Sequence, residues 1–122
     1  MARNLSIIQK LVDSYKLWHS FLLNFPKTSR YTIGEKIDSL FIEIVELSFT
    51  AINLYENQKI PYVQKAIMKL DLLKFLLQIA WETNALDNKK FILLSEKFNE
   101  IGKMLGGWHR QLKKNNSILP KN

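Results

Sequence analysis

Apolar residues recur at helical spacing along almost the whole chain, and the pattern breaks at three short polar stretches. Ile8, Leu11, Val12, Tyr15, Trp18, Leu22 and Phe25 fall three or four apart, with Lys10, Asp13 and Lys16 elsewhere on the wheel. This predicts a first helix over about residues 4–24. Phe25-Pro26 ends it, because the residue before proline is pushed out of the helical region and proline has no N–H to donate to the preceding turn.

A second helix is predicted over about 32–57, burying Ile33, Ile37, Leu40, Phe41, Ile44, Leu47, Ser48, Ala51 and Tyr55, with Ile42, Val45 and Phe49 to one side. Thr32-Ile-Gly-Glu35 has the form of a capping box, while Thr28 or Ser29 offers a cap one turn earlier. A third helix, about 60–84, opens with Pro61 in its first turn. Its stripe is Val63, Ala66, Ile67, Leu70, Leu73, Leu77, Ala80 and Trp81, and Leu72, Phe75 and Ile79 point the other way. A chain of 122 residues has no core large enough to cover both faces, so Leu72, Phe75 and Ile79 are expected to touch a second subunit.

The fourth helix, about 88–113 and capped by Asp87, carries the most regular stripe: Phe91, Leu94, Phe98, Ile101, Leu105, Trp108 and Leu112. That stripe runs through Gly102, Gly106 and Gly107, although a glycine inside a helix costs about 1 kcal/mol relative to alanine. Gly102 and Gly106 are four apart and expose a strip of bare backbone for another helix; alternatively, Gly106 or Gly107 caps the helix end. On the first reading, leucine at Gly106 disrupts packing. Residues 1–114 thus read as one all-α domain, an antiparallel up-down-up-down four-helix bundle, followed by a polar tail at 115–122.

Composition narrows the function. There is no cysteine, which excludes disulfides, zinc-thiolate sites and thiol nucleophiles. The N-terminus lacks the apolar core of a signal peptide and no apolar run reaches membrane-spanning length, so a cytoplasmic protein without a membrane partner is expected. Neither His19 nor His109 has a glutamate three residues before it, as a di-metal bundle site requires. The pairs Glu43/Glu46 and Glu96/Glu100 fall on polar faces, and there is neither a phosphate-binding glycine loop nor a serine-nucleophile motif. No metal, no cofactor and no enzymatic activity are expected.

The net charge of +7 is unevenly placed. Up to residue 58, six basic side chains (Arg3, Lys10, Lys16, Lys27, Arg30, Lys36) balance six acidic ones, so the excess begins at Lys59. Candidate phosphate contacts are Lys27 and Arg30 in the first connector, Lys65 and Lys69 one turn apart on the third helix, and Lys103, Arg110, Lys113 and Lys114 toward the end of the fourth. The alternative is that these cations keep the surface soluble and suit a helix C-terminus.

The segments Phe25-Pro-Lys-Thr-Ser-Arg-Tyr-Thr-Ile-Gly-Glu-Lys-Ile37 and Ile101-Gly-Lys-Met-Leu-Gly-Gly-Trp108 resemble the paired signatures of the accessory variability determinant proteins of diversity-generating retroelements. These belong to a wider group of small four-helix proteins that includes those encoded in 23S ribosomal RNA intervening sequences. The resemblance covers nearly the whole chain in helix number, length and order. It implies a homopentamer of four-helix protomers with a basic surface. It also implies binding to a reverse transcriptase and its template RNA or an RNA/DNA hybrid, in support of adenine-directed mutagenic cDNA synthesis. Phe25, Pro26, Arg30, Gly34, Gly102, Gly106, Gly107 and Trp108 match the signatures; all but Arg30 read as architectural. Arg30 either caps carbonyls, pairs with Glu35 or Asp38, or contacts RNA. The competing reading is a four-helix scaffold or ribosomal-RNA-associated protein with no polymerase partner.

Overall fold

The computed structural model describes residues 2–118, with side chains from 5 to 117. It is all-helical: four long helices, α1 (Ala2–Leu22), α2 (Glu35–Ile52), α3 (Ile60–Glu82) and α4 (Asn88–Ile118), and no strand among the described residues. α1 and α3 each pack on both α2 and α4.

The connectors show why each helix stops where it does. α1 closes at Leu22 through tight turns, with Asn24 N–H donating to Phe21 O and Phe25 N–H to Leu22 O, before Pro26 turns extended at ψ 143°. The chain re-enters a helix at once, through a single turn Lys27–Ser29 and a wide π-turn Arg30–Gly34 that runs into α2. The helix therefore starts a turn earlier than the Thr32 box implies, and neither Thr28 nor Ser29 caps it: Pro26 stands at the N-cap without a side-chain bond. Thr32 is already inside the helix, where its hydroxyl donates to Thr28 O at 2.9 Å.

The wide turn coincides with Gly34, which is buried. A Cβ there would lie 2.8 Å from Leu22 Cδ1, 3.2 Å from Ser29 O and 3.3 Å from Phe25 Cδ2, so the missing side chain lets the end of α1 press onto the start of α2.

α2 ends at Ile52, five residues before the expected Asn57. Asn53 Nδ2 donates to Phe49 O and Lys59 Nζ donates to Ala51 O at 2.7 Å, so two side chains satisfy the final carbonyls and the helix has no need to continue. Tyr55, expected in the core, is consequently 81% exposed. α3 carries Pro61 in its first turn and ends at Glu82 with Thr83 as its C-cap; just beyond, Asn84 at φ 65° directs the N–H groups of Ala85 and Leu86 to Ala80 O. Asp87 caps α4, its Oδ1 accepting from Lys90 N–H at 2.9 Å. α4 runs on to Ile118, so 115–118 continue the helix; the rest of the expected tail, 119–122, lies outside the described residues.

Trp18, Phe41, Phe98, Leu70, Leu73, Leu77 and Leu94 are among the fully buried side chains. Phe41 meets Tyr15 and Phe98 edge-on at ring-centroid distances of 5.3 and 5.5 Å. On α1 the deepest stripe is Ile7, Leu11, Ser14 and Trp18, turned by about one residue from the expected one, so Ile8 and Val12 are half-buried.

Ser14 and Ser48 are wholly buried and their hydroxyls lack a partner. A desolvated, unbonded hydroxyl costs about 1–3 kcal/mol, and alanine is the better helix former. Ser48→Ala is therefore expected to raise unfolding free energy by about 1 kcal/mol, read as a later denaturant midpoint; an earlier midpoint would show that the hydroxyl is bonded.

Asp38, one of the carboxylates considered for Arg30, instead ties α2 to α1: its Oδ1 accepts from Tyr15 OH at 2.9 Å and Trp18 Nε1 at 3.1 Å. Burial first, then this bond and the charge of Asp38, push the Tyr15 hydroxyl above the ordinary tyrosine value of 10.0. The neutral form is the one the fold favours. Its stabilising effect is intact below the unfolded value and lost as pH rises through the folded one. Denaturant midpoints of wild type and Tyr15→Phe should therefore converge above about pH 10; a constant gap would rule the linkage out.

Candidate nucleic-acid interface

The sequence-predicted cations separate into three places with different surroundings. Arg30 is half-buried at the α1–α2 corner, where its Nη2 donates to Leu23 O at 3.0 Å and Phe25 O at 3.2 Å. It thus caps the carbonyl end of α1, the first of its three anticipated roles, and pairs with neither Glu35 nor Asp38. Its Nε is buried without a partner. Lys27 is exposed nearby.

Lys65 and Lys69 line a groove with Glu43, Glu46, Leu47 and Thr50 of α2, and Lys69 Nζ lies 3.1 Å from Glu43 Oε2. Two carboxylates beside two lysines make this groove nearly neutral, and a phosphate there competes with Glu43.

The third group is different. Lys103, Arg110, Lys113 and Lys114 are all exposed on α4, where spacings of seven, three and four put Lys103, Arg110, Lys113 and Lys114 along one side. None forms an ion pair among the described residues. No carboxylate follows Glu100 in the chain. Glu100 itself is held below the usual carboxylate range, chiefly by its hydrogen bond from Lys10 at 2.7 Å, with the charges of Lys97 and Lys103 adding to the effect. The ridge from Lys103 to Lys114 is about 16 Å long at 1.5 Å per residue. Asn115 bonds Glu56 in the α2–α3 connector, so the end of the ridge is separated from Lys27 and Arg30 by roughly the length of α2, about 27 Å. The eight candidate contacts do not form one patch.

The glycines also divide. Gly102 allows close approach of α3: a Cβ there would lie 3.2 Å from Lys74 Nζ and 3.5 Å from Leu70 Cδ2. Gly106 differs from Gly102 within this chain. Its helix continues to Ile118 and no glycine has positive φ, so it is not a cap. Among the described residues no second helix of this chain touches it either, since the atom near its Cβ position is Arg110 Nη1 at 3.5 Å. The disruption expected of leucine at Gly106 therefore has no inter-helix contact among the described residues of this chain to act on. Phe25 and Trp108 are buried architectural residues, at 3% and 4% exposure.

The outer face of α3 carries Leu72 at 43% and Phe75 at 58% exposure, with Ile79 half-buried. Met68, at 65%, extends the stripe by one turn and was legible as the position four before Leu72. Ile42 and Phe49 are exposed on α2.

Among the described residues there is no grouping of histidine and carboxylate side chains fit to hold a metal ion, and no helix long and apolar enough to cross a membrane. What remains is a small all-helical protein with a cationic ridge and an uncovered apolar helix face. Compared with known families, the chain matches the bAvd-like family over residues 5–112, and it belongs to that family, the accessory variability determinant proteins. No curated protein and no solved structure shows a significant match.

Proposed function

We propose that this chain is a non-catalytic accessory subunit that associates with a retroelement reverse transcriptase and its template RNA, or an RNA/DNA hybrid, in the cytoplasm to support mutagenic cDNA synthesis. Membership in the bAvd-like family carries this reading. The ridge of Lys103, Arg110, Lys113 and Lys114 supports the nucleic-acid part, because unpaired cations bind phosphates by releasing counterions. Self-association, as a homopentamer of antiparallel up-down-up-down bundles, is supported by the apolar stripe of Leu72, Phe75 and Ile79, extended by Met68. The antiparallel order is supported by short connectors and by Tyr15 meeting Asp38 while Leu22 meets Gly34.

The test is co-purification with the reverse transcriptase of the same element, together with oligomeric mass and RNA binding at two salt concentrations. The expected outcome is a multimer that binds RNA with a steep salt dependence and forms a stable complex with the polymerase. A monomer or dimer indifferent to both overturns the proposal in favour of a four-helix scaffold.

A further inference from the structure

Two adjacent glycines inside a helix, neither capping it nor touching another helix among the described residues, call for another cause. Gly107 borders a groove of about 280 Å³ between α1 and α4, lined with Ile7, Lys103, Met104 and Trp108. Among the described residues, nothing from another helix lies within 4 Å of the position a Cβ would take at either glycine. At both, the one nearby group is the Arg110 guanidinium, which folds back one turn to lie over the bare backbone at 3.5 and 3.8 Å from the two Cβ positions. Among the described residues no carboxylate holds that guanidinium in place. Gly107 therefore keeps open a recess with an apolar floor and Lys103 on its rim, and the two glycines together give the Arg110 guanidinium room to lie beside it.

We propose that this recess seats one unstacked nucleotide of single-stranded RNA, with its base in the groove against Met104 and the edge of Trp108 and its phosphate between Lys103 and Arg110. This deepens the reading of the chain as an RNA-binding subunit and rests on it. The two halves of the recess match the two halves of a nucleotide: an apolar surface for a base, and cations for the phosphate that follows it. A duplex keeps its bases inside the stack and reaches the rim alone. An acidic protein segment is the other polyanion the rim attracts, and it has no planar apolar group to fill the groove.

The experiment is binding of oligouridine, of duplex RNA of equal length and of a polyglutamate peptide to full-length wild type, Gly106→Ala/Gly107→Ala and Gly107→Leu, with melting temperature and oligomeric mass measured on each. Alanine fits both positions without a clash and is the better helix former, so the double variant should melt no lower than wild type and keep its mass. Its affinity for oligouridine should fall about tenfold, the order of one lost base contact, with Gly107→Leu losing more and duplex binding unchanged in both. Equal oligouridine affinity in all three proteins overturns the nucleotide seat while the RNA-binding reading stands. Wild type that binds no RNA at all overturns both. Loss of polyglutamate binding in place of oligouridine binding, or a change in oligomeric mass, overturns the seat by assigning the glycines to a protein contact.

Discussion

Trp18→Ala is expected to lower unfolding free energy by about 4 kcal/mol, the usual cost of emptying a buried tryptophan site and a large share of the roughly 5–15 kcal/mol that holds a domain together. Trp18 is 0% exposed, packs edge-on against Phe25 at a centroid distance of 5.4 Å and donates to Asp38 Oδ1. Phe25 in turn lies in the space left by Gly34. One side chain therefore supports both the α1–α2 corner and the hydrogen bond that ties the two helices together. Trp18→Phe keeps most of the apolar contact and loses the N–H, so it should cost about 1–2 kcal/mol. Denaturant unfolding of both variants checks this. Equal, small losses would mean that the corner is not packed around Trp18.

The four helices were legible because each carries a long run of apolar residues at one period, and Pro61 and Asp87 mark starts by local chemistry that no distant contact overrides. The failures have a common cause: they depend on groups brought together from different parts of the chain. Thr32-Ile-Gly-Glu35 has the local form of a cap, yet the turn before it is helical because Leu22 and Phe25 occupy the space beside Gly34. The end of α2 depends on Lys59, a lysine that is 6% exposed and donates to a carbonyl eight residues earlier. As a charged residue between two helices it reads as solvated, and nothing local marks it as a capping group.

The same distinction separates the cations. Counting lysines and arginines places eight on equal footing, and only the folded chain shows that Arg30 is occupied by carbonyls and Lys69 by Glu43. Ile7 in place of Ile8 is a smaller case. A one-residue rotation of a stripe is invisible where both flanking positions are isoleucine, and the packing of α1 on α2 and α4 decides it.

Replacing Lys103, Arg110, Lys113 and Lys114 together by glutamine should reduce the dependence of log affinity on log salt by about 3, since each phosphate neutralised on single-stranded nucleic acid contributes roughly 0.7. All four side chains are exposed and free of ion pairs among the described residues, so the substitution removes charge without leaving a buried carboxylate unpaired, and the fold and oligomeric mass should be unchanged. The companion variant Lys27→Gln/Lys65→Gln/Lys69→Gln removes three charges yet should change the slope by about 1 or less. Lys69 already has Glu43 as its counterion, Lys65 faces the same carboxylates, and Lys27 is about 27 Å from the Lys114 end of the ridge. Binding isotherms across a salt series decide between the sites. If both variants lose slope in proportion to the charge removed, RNA responds to the net +7 of the chain, and the ridge has no privileged part in binding. If the ridge variant alone loses it, the polynucleotide tracks α4, which leaves the apolar face of α3 uncovered by RNA and open to protein.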